Sequence, residues 1–399
     1  MSGSLSSIYR TASFALATHT KAMSVLQEQS YTGSRINRCS DDPSSAYRVM
    51  GLDSQQRQIE NYIANIADAM SALEMTSDVL LDMSTTISDT MVDLTQILSG
   101  TYGLGEEGDE ARERLAQQLD DILESMISSA NTQHIDQYLF AGTSTGVLPY
   151  AVEREDGEIV SVTYQGSSQE RNIQVSSGIS TAVFYSGDDY FSASNRRDPE
   201  FFGTTGAANG SGTSNVKGDT WLTVTHDGTN YRLSIDDGVT EVVVPGAGDI
   251  SNIAVTDANG NVLYVDATNI NQTGVEVVRT PGTYDLFNTL ISARDILRNE
   301  RGLDGDTIVE LIETVSDNLE EVYNVMVEKQ VTLGTKINFL DTLSENLDNI
   351  QFAAEEEATG LEEADIAQIA VDIARRESLY EMSLSIAGKL LTISLLDYL

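Results

Sequence analysis

The sequence predicts an α+β, multidomain protein. Both chain ends contribute to a helical rod, a coiled-coil bundle, and β-rich domains are inserted in the middle. Three observations lead there. Ile59, Ile66, Leu73, Leu80, Ile87 and Leu94 recur every seventh residue, with Ile63, Met70, Ser77, Ser84, Met91 and Leu98 offset by four. Far along the chain Ile312, Leu319, Met326, Leu333, Leu340 and Leu347 repeat the pattern, flanked by Ile308, Val315, Val322, Leu343 and Ile350. A seven-residue apolar repeat writes a stripe down one helix face, and such a stripe needs a partner helix. Between the two runs the repeat disappears, and four of the five prolines gather there with most of the glycine.

Element by element, Leu5, Ile8, Ala12, Ala15, Ala22 and Leu26 sit at helical spacing on a stripe poor in large side chains. Tyr31-Thr32-Gly33 breaks this helix, and Ser40-Asp41-Asp42-Pro43 starts the next. An aspartate side chain accepts orphan backbone N–H groups, and proline fits the first turn. That helix is expected from Pro43 to about Leu98, stopping in the Gly-rich stretch from Ser99 to Gly105. A third, about Asp109 to Thr132, carries Leu115, Leu119, Ile122, Leu123, Met126 and Ile127 on one face. After Tyr138-Leu139-Phe140-Ala141-Gly142-Thr143 come β-branched runs: Ile159 to Tyr164, Ile173 to Val175, Leu222 to Thr225, Tyr231 to Ile235, Val242 to Val244 and Val262 to Val265. Asp227-Gly228, Asp237-Gly238 and Asn259-Gly260 mark turns between them. The run from Gly203 to Gly212 reads as a linker between two β units. Helix returns near Tyr284, pauses at Arg301-Gly302 and continues to about Glu357. A last amphipathic helix carries Leu379, Met382, Ile386, Leu390, Ile393 and Leu396.

Charge narrows the function. The 399 residues carry 23 Lys and Arg against 62 Asp and Glu, a net −39, so phosphate backbones would be repelled and no nucleic acid is expected as partner. The excess belongs to the interior of the sequence. The nearly neutral ends are free to pack against copies of themselves, while an acidic middle stays hydrated. No segment is long and apolar enough to insert in a membrane, and Met1 to Arg10 lacks the basic-then-apolar layout of a secretory signal. Cys39 is the one cysteine, so no intrachain disulfide forms.

Chemistry is sparse. His19, His134 and His226 have no partner at metal-ligand or triad spacing. Asp257-Ala258-Asn259-Gly260-Asn261 lacks the ordered ligands and closing glutamate of a calcium loop and reads as a hairpin turn. Gly103 to Gly108 lacks the lysine and preceding strand of a phosphate loop. No catalytic, cofactor-binding or metal-binding residue is assigned, and the chain is expected not to be an enzyme. Lys329 and Lys336, beside the second seam, are expected to lay their stems along it with the ammonium groups at its edge.

Tyr31-Thr32-Gly33-Ser34-Arg35-Ile36-Asn37 followed by Asp41-Asp42-Pro43-Ser44 resembles the N-terminal signature of the flagellin superfamily. Tyr138 to Thr143, Val162-Thr163-Tyr164-Gln165-Gly166 with Ile173 to Gly178, Pro281 to Phe287, and the ending Ser394 to Leu399 are similar to the hook-associated protein 3 family within it. Gly218-Asp219-Thr220-Trp221 to Gly238 looks like a small β motif inserted in such proteins. Cys39 and Arg38 depart from the small or neutral residues expected at that turn. The resemblance implies a flagellin-like rod whose two heptad runs pair within one chain. It divides the chain into terminal helices at 1–43 and 365–399, disordered in the monomer and packing on assembly, a rod at 44–145 and 283–364, a first β unit at 146–202 and an inserted β domain at 203–282. The expected assembly surface is Leu5, Ile8, Arg35, Asn37, Asp41, Asp42, Pro43, Leu379, Met382, Ile386, Leu390, Ile393 and Leu396. The implied role is a secreted structural adaptor at the hook–filament junction of the bacterial flagellum. Its implied partners are hook-associated protein 1, flagellin, copies of itself in a ring, and an export chaperone on the C-terminal helices. Filament flagellin, and a secreted enzyme or effector with an active β middle, are the rival readings.

Overall fold

The computed structural model describes residues 2–98, 106–246, 248–303 and 305–396. The elements run α1 (Ser2–Thr32), α2 (Pro43–Leu98), α3 (Glu106–Ala130), β1 (Gln133–His134), β2 (Gln137–Tyr138), β3 (Tyr150–Glu155), β4 (Glu158–Tyr164), β5 (Arg171–Ser176), β6 (Ile179–Phe184) and a short α4 (Asp188–Phe191). Then follow β7 (Glu200–Phe202), β8 (Ala208–Asn209), β9 (Gly218–His226), β10 (Tyr231–Ser234), β11 (Val242–Val243), β12 (Ile253–Thr256), β13 (Val262–Asp266), β14 (Gly274–Thr280), α5 (Leu286–Arg298), α6 (Gly305–Glu362) and α7 (Ile366–Leu396). The chain divides into a terminal unit, Met1–Ala64 with Thr342–Leu399, and a central unit, Asn65–Asp341. The architecture is α+β, with helical ends and a middle of small antiparallel sheets.

All twelve seam residues are buried. Ile66, Leu73, Leu80, Ile87 and Leu94 of α2, and Ile312, Leu319, Met326, Leu333 and Leu340 of α6, lie in the central unit at 0–1% exposure. Ile59 and Leu347 lie in the terminal unit, slightly less covered. The second buried line of α2 is not the one offset by four. It is Ala69, Thr76, Met83 and Thr90, three residues on, while Ile63, Met70, Ser77 and Met91 are half-buried. Alanine and threonine hide this line from a count of large apolar residues. Thr76 and Thr90 are tolerated inside because each hydroxyl donates to the carbonyl four residues back, both at 2.8 Å. The buried stripe of α6 changes width: Ile308, Leu311, Ile312, Val315, Leu319 and Val322 are buried, but from Met326 to Leu347 one residue per heptad is.

The β elements hang on aromatic and arginine contacts. In the first β unit the hairpins β3–β4 and β5–β6 adjoin a ring cluster in which Phe140 lies 4.9 Å from Phe191 and Tyr150 lies 4.6 Å from Phe287 of α5. In the second, a five-stranded sheet in the order β11-β10-β9-β14-β7 faces a three-stranded sheet β12-β13-β8. Leu222, Val224, Leu233, Val255, Leu263 and Val265 fill the core between them. The expected turns are present, Gly228 taking the left-handed φ of +94° that a tight hairpin after Asp227 demands. The expected linker from Gly203 to Gly212 is a correction. It contains β8, and buried Thr205 donates its N–H and hydroxyl to Glu276 Oε1 at 2.6 and 2.7 Å. Its Gly, Ser and Thr residues allow close backbone approach as well as flexibility: a side chain on Gly203 would collide with Glu276. The pause near Arg301 is a stop, because Asn299 adopts a left-handed conformation (φ +51°) and pairs with Leu303 through both its amide groups.

Central β14 leads back toward helix, and there Arg279 is fully buried. Its guanidinium meets both oxygens of Asp219 at 2.7 and 2.8 Å and donates to Leu311 O of α6 at 3.3 Å. Ser292 of α5 donates to the same carboxylate. Burial alone would lower the arginine's pKa; the Asp219 bonds outweigh it and hold the charge. This pair joins the second β domain to α5 and α6. Asp219→Ala strands a buried cation and is expected to cost about 3–5 kcal/mol, measured by urea denaturation. Arg279→Met with Asp219→Leu should recover most of that loss.

Candidate assembly interface

The turn between α1 and α2 is built by its own side chains. Gly33 closes α1 with a left-handed φ of +72°, its N–H donating to Gln29 O at 2.9 Å. Asp41 then accepts the N–H groups of Asn37 and Arg38 at 3.2 and 2.9 Å, and the Asn37 amide donates to Ser34 O at 3.1 Å. Asp42 caps α2, taking the Ser45 N–H at 3.2 Å and the Ser45 hydroxyl at 2.7 Å, with Pro43 in the first turn. Arg38 pairs with Glu28 at 3.1 Å, which accounts for a basic residue beside Cys39; that thiol is exposed.

This turn is fastened to the one between α6 and α7. Ser34 bridges Glu363, the Arg35 N–H donates to Glu362 O at 2.6 Å, and the Ala364 N–H donates to Gly33 O at 3.0 Å. The Arg35 guanidinium spans the joint, donating to Asp42 at 3.1 Å and to Leu361 O at 2.9 Å. Nearby, α2 and α6 are tied by Arg48–Glu357 and by Gln351 donating to Glu60 at 3.3 Å. Asp365 caps α7 through the Gln368 N–H at 3.0 Å.

The structure thus brings Arg35, Asn37, Asp41, Asp42 and Pro43 together in one intrachain joint. The partner half of that joint, Leu361 to Ala364, escaped sequence reasoning because its contribution is backbone. The helices it anchors are thinly covered. Helix α1 packs on α7, yet no described side chain of α1 is fully buried, and in α7 only Ile369 is among those described. Met382 and Ile386 are 56% and 58% exposed and Leu379 is half-buried. The side chains of Leu5, Ile8, Leu390, Ile393 and Leu396 lie outside the described residues.

Among the described residues no cluster of His, Cys, Asp and Glu could hold a metal, and no helix is long and apolar enough to cross a membrane. His134 meets the Ser71 hydroxyl at 3.1 Å, and Asp257 spends its oxygens on the N–H groups of Asn259 and Asn261, as a hairpin turn requires. Lys336 departs from expectation. It donates to the Tyr185 hydroxyl at 2.7 Å, and Lys329 lies 5.5 Å from the Tyr190 ring, so both hold the first β unit on α6. Burial lowers the Lys336 pKa, helped by the nearby Lys329 charge.

Residues 7–145 match the bacterial flagellin N-terminal helical region. This part of the chain is similar to the N-terminal helices of flagellins. The helical ends and antiparallel middle recur in solved structures. Flagellar hook-associated protein 3 of Legionella pneumophila superposes with a TM-score of 0.51 at 18% identity, covering 78% of this chain and 98% of that one. The flagellar junction protein FlgL of Legionella pneumophila superposes with a TM-score of 0.50 at 18% identity, covering 79% and 100%. In sequence, flagellar hook-associated protein 3 of Escherichia coli strain K12 is 26% identical over 165 residues, 41% of this chain and 48% of the relative. The chain spans about half the length of the curated relatives it matches.

Bonds from Ser45, chiefly from its hydroxyl and then its N–H, depress the Asp42 pKa, with Arg35 adding to the effect. A depressed carboxylate contributes stability above its unfolded pKa and loses it as pH falls through the folded one. Cleavage in the turn by an acid-active protease should therefore rise below about pH 4. Asp42→Ala should be cleaved in this turn faster than the parent chain by a protease active at neutral pH, and the two chains should converge in the acid assay.

Proposed function

We propose that the chain is a structural adaptor of the bacterial flagellum, sitting at the hook–filament junction between hook-associated protein 1 and the first flagellin subunits. One observation carries the reading: a flagellin N-terminal region is joined to the fold of hook-associated protein 3, over nearly the whole length of that protein. The curated relatives bear the same name and weigh against a filament flagellin, although the N-terminal match alone suits both. A surface adaptor needs no reacting groups, which agrees with the open, charged clefts beside α3 and α5 (Arg298 pairs there with both Asp120 and Glu158). The chain works by assembly and is not an enzyme.

The terminal helices are the assembly elements. Helix α1 is poor in large apolar residues, and helices with one thin apolar stripe are marginal alone in water. In the monomer these helices are readily unfolded; copies arranged in a ring bury their stripes and order them. The same marginality suits export of an unfolded chain by the flagellar secretion apparatus, and the lone Cys39 leaves no crosslink to impede it. Before export, a chaperone covers the C-terminal helices, where Met382 and Ile386 are exposed. The protein is secreted and ends at the junction.

Deleting the gene should give cells whose hooks carry no filaments and whose medium contains flagellin. Electron microscopy and an immunoassay of the medium read both outcomes. Filaments of normal length would contradict the proposal, and bare hooks with no flagellin in the medium would indicate filament flagellin instead.

A further inference from the structure

Helix α2 is segregated by charge along its length. From Ile59 to Leu98 every charged side chain is acidic. Asp78, Asp82 and Asp89 are exposed and make no ion pair among the described residues, and Leu81 and Val92 stand beside them at 53% and 56% exposure. Asp78, Asp82, Thr85 and Asp89 succeed one another in steps of four, three and four, so they share one outward line. The start of the same helix is the reverse. Tyr47 (79% exposed), Met50 (55%), Ser54 and Arg57 follow in steps of three and four, and Arg57 forms no ion pair among the described residues.

We propose that these two exposed faces of α2 dock on each other between neighbouring copies of this chain. Tyr47, Met50 and Arg57 of one copy lie against Leu81, Val92 and the three aspartates of the next. Copies set side by side in register would oppose acid to acid. A shift along the helix sets Arg57 in the acidic field and covers apolar residues with apolar residues. With the helices parallel, such a contact leaves one patch of each copy open to a further copy and propagates around a ring; antiparallel helices would pair both patches reciprocally and close at a dimer. The inference rests on the reading above, that copies surround a junction, and names the surface that joins them.

The test is sedimentation of the full chain in about 50 and 500 mM NaCl. Self-association should weaken at the higher salt. Arg57→Glu should weaken it about tenfold, as should Asp82→Arg with Asp89→Arg, and the three substitutions combined should recover most of the loss. Arg375→Glu with Arg376→Glu, on α7, should leave it unchanged. A chain monomeric at both salts, association that strengthens with salt, a combined variant no better than its parents, or loss of association on reversing the α7 charges would each overturn the proposal. Filaments of normal length in the deletion strain would instead overturn the functional reading and leave the contact itself standing.

Discussion

The joint between the α1–α2 and α6–α7 turns is the constraint on which the terminal unit depends. Two short stretches, 33–35 and 362–364, exchange backbone hydrogen bonds, and the Arg35 side chain crosses between them. Once they are joined, α1 must run with α7, and the start of α2 must run with the end of α6. Backbone bonds suit this task because they fix direction as well as proximity, and because no substitution other than proline removes their donors.

Burial is shared unequally from that joint onward. In the central unit the α2 stripe is two or three residues wide per heptad from Ile66 to Thr90 and the seam is sealed, with the β domains pinned by Arg279 and by Lys336. In the terminal unit the buried set shrinks to residues such as Ala46, Val49, Leu347, Ala354 and Ala358, mostly small. Stabilisation scales with apolar area removed from water, so α1 and α7 gain least within one chain. Segments of low local burial open most readily and are the ones a partner can order. Marginal ends on a well-sealed middle suit the proposed role of a subunit that travels unfolded and then sets in a wall.

Much of this was legible in the sequence. The heptad repeats located α2 and α6, and the Asp42-Pro43 start and the glycine stop placed the limits of α2. Explicit Asp-Gly and Asn-Gly turns gave the hairpins. What escaped had physical causes. Strand β14 carries no clear strand signal because its run includes Glu276 and Arg279, charged residues that are buried and paired with partners remote in sequence. The second line of α2 consists of alanine, threonine and methionine, which are apolar enough to pack but do not advertise a seam. The Gly203–Gly212 stretch looked like a linker because close backbone approach and flexibility select the same small residues. At the candidate interface the aspartates and Arg35 were visible; their partners at 361–364 act through carbonyls and N–H groups that any sequence supplies.

The central claim is that the terminal helices gain their order from neighbours and the central seam from the chain itself. Amide hydrogen exchange on the purified monomer, and again on the assembled protein, tests it most directly. The account predicts fast exchange across α1 and α7 in the monomer, slow exchange around Leu73 to Leu94 and Ile312 to Leu340, and slowing of the terminal helices on assembly. Terminal helices as protected in the monomer as the central seam would contradict it.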